Sequence, residues 1–293
     1  MRKKGSFAPN PMLPLLLLSG LLLILVGLGV SFFKDIAGSR HDDSRDGRAR
    51  VVGSGASFPA PLYQRWFRDI YREDEGAQVD YQSIGSGAGI TNFIQGRTDF
   101  AGSDYPLSNG EIKRVKGGVL QFPMTAGAIV FVYNLDGVER LKLSREVLAG
   151  ITTGEIKRWT DPRIQRDNPG VMFPDEKVTL VARSEASGTT YHVTRYIASF
   201  SEAFRARVGV SKSPNWPQSL KNRGALILAR GNFGVASMVD SIPGAIGYVQ
   251  FSYAKLPHMR MAALENRAGN MVYPTPETFR AAVVSLEQNL TRR

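Results

Sequence analysis

From Gln78 to Asp104 the chain reads QVDYQSIGSGAGITNFIQGRTDFAGSD. The first seven residues alternate between polar and apolar, which is typical of a half-exposed strand. GSGAG then opens a segment that carries Ile90, Phe93 and Ile94 at helical spacing, and TDFAGS predicts a second strand. Strand, helix and strand in this order predict an α/β fold with a mostly parallel sheet.

The same alternation continues on both sides of this unit. RVVG predicts an opening strand over residues 50–53, and GSGASF leads from it into a helix beginning near Pro59. Apolar runs predict further buried strands at Gly127–Leu135, Lys177–Arg183 and Gly244–Phe251. Helical spacing predicts one further helix at Ser187–Phe200.

Three strand-to-helix turns share a composition of glycine and small hydroxyl residues: Gly53–Phe58 (GSGASF), Gly85–Gly89 (GSGAG) and Ser187–Thr190 (SGTT). A helix N-terminus has unpaired N–H groups and partial positive charge, glycine lets an anion approach the backbone, and Ser and Thr add donors. The three turns together therefore predict an anion site, although any one alone is better explained as a tight turn with a helix cap.

Two charged residues stand beside these turns. Arg183 offers a planar fork that suits an oxyanion, or else forms a surface ion pair with Glu185. Asp104 can accept a hydrogen bond from the P–OH of phosphate, whereas sulfate has no proton to donate at neutral pH. Because an unpaired buried polar group costs ~1–3 kcal/mol, Asp104 predicts selection of phosphate over sulfate. Its alternative role is that of a turn or N-cap residue.

The N-terminus resembles an export signal. Three of the first four residues are basic, and some 20 apolar residues follow, enough for the ~30 Å hydrocarbon layer. We therefore expect residues 1–10 to be cytoplasmic and residues 11–33 to form an uncleaved signal anchor, with a cleaved signal peptide as the alternative. Residues 34–50 carry both signs of charge and few apolar side chains, which predicts a flexible spacer.

Composition excludes several classes of function. The 293 residues are 43% hydrophobic and 22% charged, as in an ordinary globular protein, and contain no cysteine. Disulfides, cysteine zinc sites, a thiol nucleophile and a lipidated cysteine are therefore excluded. The net charge is +11, but no run of five basic residues indicates nucleic-acid binding. No metal-ligand or cofactor motif is recognised.

Several motifs occur in the order found in one protein family. They are GSGASFPAPLYQRW, VDYQSIGSGAGI, TDFAGSDYPL, QFPMTAGAIVFVYNL, GEIKRWTDPRIQRDNPG, VARSEASGTT, SPNWP and PGAIGYVQFSYA. From about Val51 to about Val283 the chain resembles the periplasmic substrate-binding protein of bacterial high-affinity phosphate ABC transporters. The resemblance implies an α/β, two-lobed periplasmic-binding-protein clamp of type II-like form that closes on one phosphate, here following an N-terminal transmembrane helix.

The resemblance also implies which residues bind the ligand. The family's contacts fall on Ser57, Phe58, Ser86, Asp104, Arg183, Ser187, Gly188 and Thr189, with Phe58 contributing its backbone N–H. Ser57 stands where Thr is common, Glu185 where Asp is usual and Ala186 where Gly is frequent.

The lobes are expected at residues 51–120 and 121–293. The family continues beyond the helix that corresponds to Thr275–Leu290 with a strand returning to the first lobe and a helical tail, whereas this sequence stops at Arg293. Lobe 1 is therefore expected to be incomplete, with its returning segment missing, an exposed sheet edge and weakened stability.

The function implied is extracytoplasmic binding of inorganic phosphate for delivery to an ABC importer, without enzymatic activity or cofactor. The implied partners are phosphate, the permease subunits and the inner membrane through residues 11–33, and no nucleic acid. Three alternatives stay open. One is a non-transporting phosphate sensor, sequestering paralogue or truncated product; the second is a receptor for sulfate or molybdate; the third is a hydrolase with a serine nucleophile in SEASGTT and His192 as base.

Overall fold

The computed structural model describes residues 49–74, 77–255 and 259–290. The predicted n-region, the signal anchor at 11–33 and all but the end of the spacer lie outside the described residues. Within the ranges that are described, no helix combines the length and the apolar character needed to cross a bilayer.

The chain divides into two compact units. Of the described residues, one unit contains 49–51, 66–74 and 77–80, and the other contains 52–65, 81–255 and 259–290. All eight predicted ligand residues belong to the second unit. The boundary between lobes at residue 120 stays a prediction.

The opening segments form the predicted strands and helices, followed by one short helix that was not predicted. They are β1 (Ala49–Gly55), α1 (Ala60–Glu73), β2 (Ala77–Ser83), α2 (Ser86–Ile94), β3 (Phe100–Gly102) and the short α3 (Asn109–Ile112). The three strands form a sheet in the order β2-β1-β3, and β1 runs parallel to β3 with Gly53 opposite Phe100. The predicted α/β alternation is confirmed here.

The rest of the described chain contains two more sheets. Its elements are β4 (Ile129–Tyr133), β5 (Lys142–Leu143), α4 (Arg145–Thr153), α5 (Pro162–Asp167), β6 (Thr179–Arg183), α6 (Gly188–Ala198), α7 (Glu202–Arg207), α8 (Gln218–Lys221), β7 (Leu226–Ala229), α9 (Gly231–Ser241), β8 (Ala245–Gln250), α10 (Phe251–Lys255), β9 (Arg260–Met261), β10 (Ala263–Glu265), β11 (Met271–Val272) and α11 (Pro276–Leu290). A five-stranded sheet has the order β7-β6-β8-β4-β9, and a small one has the order β11-β10-β5.

Strand direction differs in part from the expectation of a mostly parallel sheet. β6 runs parallel to β7 and β8, but β4 runs antiparallel to both β8 and β9. A strand that is buried on both faces is apolar along its whole length whichever way it runs. The hydrophobic pattern of β4 therefore predicted a buried strand correctly and carried no information about its direction.

The five-stranded sheet is covered on both faces. Because successive side chains of a strand point to opposite faces, Leu180 and Ala182 of β6 join one hydrophobic cluster and Val181 joins another. Val193 of α6 packs into the first cluster, and Val235 of α9 packs into the second. Burial on both faces leaves the strand ends as the places where polar groups can gather, and α6 and α9 both start there.

Candidate functional site

Asp104 and Ser86 meet at the carboxyl end of the first sheet. Ser86 is buried at the start of α2; its Oγ donates to Asp104 Oδ2 at 3.5 Å and accepts from the Asp104 N–H at 3.4 Å. Gly85 caps α2 with a φ of 91°, and a Cβ there would lie 2.7 Å from Cγ of Glu185. The turn therefore needs glycine both for its backbone conformation and for its close packing.

The start of α6 packs directly against Asp104. A Cβ on Gly188 would lie 2.5 Å from the Asp104 Cβ and 2.8 Å from the Ser86 Oγ, so a side chain has no room at this position. The Thr189 N–H hydrogen-bonds to the Asp104 carboxylate. Ser187 caps the helix by accepting the Thr190 N–H at 3.2 Å. Two of the three predicted turns are thus brought together around one carboxylate.

Arg183 supplies a buried cation at the end of β6. Its guanidinium donates from Nε to Glu185 Oε1 at 2.9 Å and from Nη1 to Thr189 Oγ1 at 3.5 Å. The predicted ion pair with Glu185 is present, but it is not a surface pair, because the Arg183 side chain is only 1% exposed. Burial acts to raise the pKa of Glu185, but hydrogen bonding to Arg183 and its charge outweigh burial and hold that pKa below its usual range.

Asp104 is the titrating group at the centre of this arrangement. Burial raises the pKa of its carboxyl from 3.8 to about 6, against the lowering effects of the charges on Arg183 and His192 and of hydrogen bonds from Ser86 and Thr189. His192 Nε2 lies 2.5 Å from the Asp104 carbonyl oxygen. Since a carbonyl oxygen can only accept, Nε2 carries the proton of this hydrogen bond.

Ser57 and Phe58, in the first turn, have different neighbours. Ser57 Oγ accepts hydrogen bonds from the Asn232 backbone N–H at 3.2 Å and from its Nδ2 at 2.9 Å. The Phe58 ring lies against Gly127, where a Cβ would be 2.9 Å from two ring atoms. Within the described chain neither residue hydrogen-bonds to the other six predicted ones. The first turn is connected to Glu185, the partner of Arg183, through the residue before Asn232: the N–H of Gly231 donates to Glu185 Oε1 at 3.1 Å.

Asn232 and Tyr253 contact Ser57 and are candidate site residues that the sequence analysis did not predict. Asn232 is fully buried at the start of α9, and the Tyr253 hydroxyl donates to the Ser57 carbonyl at 2.6 Å. Asn232 follows β7 in a fourth strand-to-helix turn, Arg230-Gly231-Asn232, whose glycine and polar side chain were an available signal. Tyr253 offered none, because a tyrosine after a strand is equally typical of a core position.

This arrangement offers several donors to an anion and keeps one acceptor. Guanidinium, hydroxyl and helix N-terminal N–H groups surround the Asp104 carboxylate. In the described part of the chain no three His, Cys, Asp or Glu side chains are grouped as metal ligands. His192 directs Nε2 to the Asp104 carbonyl and Ser187 Oγ accepts the Thr190 N–H, and within the described residues no hydrogen bond joins these two side chains.

Comparison with known proteins identifies the class and then the family. Residues 41–291 match the family model described as a PBP superfamily domain, the class that the fold and the site define. Phosphate-binding protein PstS of Xylella fastidiosa (strain Temecula1) is 41% identical over 235 residues, 80% of this chain and 62% of the relative. PstS of Methanocaldococcus jannaschii is 35% identical over 286 residues, 94% of this chain and 72% of the relative. The chain belongs to the PstS family of phosphate-binding proteins, and spans about three fifths of the Xylella relative's length.

Solved structures share the fold. A high affinity periplasmic phosphate-binding protein bound with phosphate has a TM-score of 0.64 at 24% identity, over 80% of this chain and 67% of that one. A putative phosphate ABC transporter substrate-binding protein with bound phosphate, from Clostridium perfringens, has a TM-score of 0.57 at 21% identity, over 79% of this chain and 80% of that one. The predicted α/β periplasmic-binding-protein fold is confirmed.

Proposed function

We propose that this protein binds inorganic phosphate outside the cytoplasm and delivers it to an ABC-type importer, without catalysing a reaction. The observation that carries the proposal is the Asp104 carboxylate, which is held among donors by Ser86 and Thr189 and faces the buried guanidinium of Arg183. A site made only of donors would accept any tetrahedral oxyanion. One acceptor among them favours an anion that still carries a proton.

Protonation separates phosphate from sulfate in this site. Phosphate keeps at least one proton at neutral pH, and its P–OH can donate to the Asp104 carboxylate. Sulfate would place an unprotonated oxygen against the same carboxylate, leaving an acceptor unpaired beside a like charge. An unpaired buried polar group costs ~1–3 kcal/mol, and more when charged, so discrimination of tenfold or more follows.

The proposed ligand set is the one inferred from the sequence. It comprises Ser57, Phe58, Ser86, Asp104, Arg183, Ser187, Gly188 and Thr189. We propose that these residues come from two lobes of a type II-like clamp, residues 51–120 and 121–293, and that a bound anion bridges the lobes and stabilises their closed arrangement. Direct contacts between Asp104 and Gly188 or Thr189 support this, because they join the two sets of residues.

The names of the relatives support the cellular setting. The PstS relatives are phosphate-binding proteins, and one structural neighbour is described as a putative ABC transporter substrate-binding protein. We extend this to permease subunits as partners, to a periplasmic or other extracytoplasmic location, and to anchoring in the inner membrane by residues 11–33. The run of about 20 apolar residues in that segment is the basis for the anchor.

Calorimetry on the full chain tests the proposal. We expect phosphate to bind at micromolar concentration or below, and sulfate in excess to leave that binding unchanged. Asp104→Asn should weaken phosphate binding about tenfold or more and bring the affinities for phosphate and sulfate closer together. Asp240→Asn, at an exposed position on α9, is the matched control and should bind as the original chain does. Equal competition by sulfate would contradict the proposal.

A further inference from the structure

The Ser57 hydroxyl has both of its acceptor positions filled. Its Oγ accepts one hydrogen bond from the Asn232 backbone N–H at 3.2 Å and a second from Asn232 Nδ2 at 2.9 Å. A serine hydroxyl has two acceptor lone pairs and one donor proton. Both neighbours in this contact are donors, so the proton of Ser57 has to be directed away from Asn232.

The orientation of the Asn232 amide is set by the backbone of β8. Its Oδ1 accepts the Gln250 N–H at 2.9 Å, and the whole residue is buried. A flipped amide would point its NH₂ group at the Gln250 N–H and its oxygen at Ser57, leaving two donors facing each other. The observed orientation is therefore the one that satisfies both ends, and it presents Nδ2 to Ser57.

Tyr253 holds the backbone of Ser57, and the turn at the start of α9, which holds the Ser57 hydroxyl, also supports Arg183. The Tyr253 hydroxyl donates to the Ser57 carbonyl at 2.6 Å. Gly231, the residue before Asn232, donates its N–H to Glu185 Oε1, the oxygen that also accepts from Arg183 Nε. The first turn of α9 thus positions the hydroxyl of one predicted ligand turn and, through Glu185, the guanidinium of another.

We propose that Asn232 is a positioning residue that makes Ser57 a donor only, and thereby fixes the side of the bound anion on which its proton lies. This inference rests on the proposed function. Ser57 then requires an unprotonated ligand oxygen, whereas Asp104 requires a protonated one. A hydrogen phosphate fits in one orientation, with its P–OH toward Asp104. A serine hydroxyl that is free to rotate would accept a hydrogen bond from the ligand as readily as donate one, and would not impose this orientation on the anion.

A double-mutant cycle on the full chain, with inorganic phosphate as the probe, measures whether Asn232 acts through Ser57. Asn232→Ala and Ser57→Ala should each weaken phosphate binding about tenfold. The double variant should bind about as weakly as either single variant, because once the Ser57 hydroxyl is absent the loss of Asn232 has nothing further to disturb. Asn222→Ala, at an exposed position at the end of α8, is the matched control and should bind normally.

Asn232→Asp keeps the side-chain shape and the acceptor for the Gln250 N–H while reversing the polarity toward Ser57. The Ser57 proton should then turn to the new carboxylate, and phosphate binding should weaken more than tenfold, with a clearly smaller loss in the Ser57→Ala background. This variant keeps the test available if Asn232→Ala does not fold.

The outcomes separate the inference from the proposed function. Losses that multiply in the double variant, or an equal loss from Asn232→Asp with and without the Ser57 hydroxyl, would show a merely structural role for Asn232 and overturn the inference alone. If the unmodified chain binds no phosphate, the proposed function fails and this inference fails with it. Non-additive losses in a chain that binds phosphate support both.

Discussion

Replacing Asp104 with asparagine should stabilise the protein in the absence of ligand while weakening ligand binding. Burial raises the pKa of Asp104 from 3.8 to about 6, so the folded protein disfavours the ionised carboxylate. At about 1.4 kcal/mol per pKa unit this amounts to about 3 kcal/mol in the free energy of unfolding. The raised value already includes the hydrogen bonds from Ser86 and Thr189, and asparagine carries no charge, so the substitution avoids the whole of this cost. We expect a stabilisation of about 3 kcal/mol at neutral pH.

The effect has a defined pH dependence. Because the pKa of Asp104 is higher in the folded than in the unfolded state, its favourable contribution is complete below about pH 3.8 and is lost as the pH rises through about 6. The stability difference between Asp104→Asn and the original chain should therefore grow across this window and level off above about pH 7. Below the window the two proteins should have nearly the same stability.

Urea unfolding of the full chain in phosphate-free buffer, repeated from about pH 4 to about pH 8, gives this difference directly. Asp240→Asn, at an exposed position, should show no such trend. A stability difference for Asp104→Asn that stays constant over the whole range would refute the assignment of a raised pKa to this carboxyl. A difference that grows toward acid would reverse the sign of the argument.

Two further substitutions test the packing around the site. Gly188→Ala should destabilise the chain by about 1–3 kcal/mol and weaken phosphate binding, because its Cβ would lie 2.5 Å from the Asp104 Cβ; Gly110→Ala, with nothing within 4 Å, should do neither. Glu185→Ala should cost about 3–5 kcal/mol in urea unfolding because it removes the carboxylate that is hydrogen-bonded to a buried guanidinium, whereas Glu139→Ala, from an exposed ion pair, should cost at most about 1 kcal/mol. Equal costs for the two glutamates would contradict the burial argument.

The order of strands and helices was predictable from the sequence where periodicity is a local property. Alternation over residues 78–84 and helical spacing after Gly85 require only neighbouring residues to be compared, and both elements are present in the structure. Strand direction and the short strands β5, β10 and β11 were not predictable in this way. Two- or three-residue strands carry no period, and their pairing, such as that of Lys142 with Ala263, joins residues far apart in sequence.

The composition of the three turns could be read from the sequence, but their connections could not. Glycine and hydroxyl residues at helix starts predict an anion site from local sequence alone, and this stays a prediction; the structure shows that Gly188 lies close to Asp104 and Ser86. The hydrogen bonds from Asn232 to Ser57 join residues 175 positions apart. Similarly, whether Arg183 forms a surface or a buried ion pair depends on its surroundings in three dimensions, which neighbouring residues do not determine.

The hydrogen bond from His192 Nε2 to the Asp104 carbonyl ties the peptide unit that carries the carboxylate to α6. The same helix begins with Gly188 and Thr189, which pack against the Asp104 side chain. Asp104 is therefore joined to α6 through its backbone as well as through its side chain. The spacing between the one acceptor and the donors of this helix is built into the protein's own hydrogen bonds.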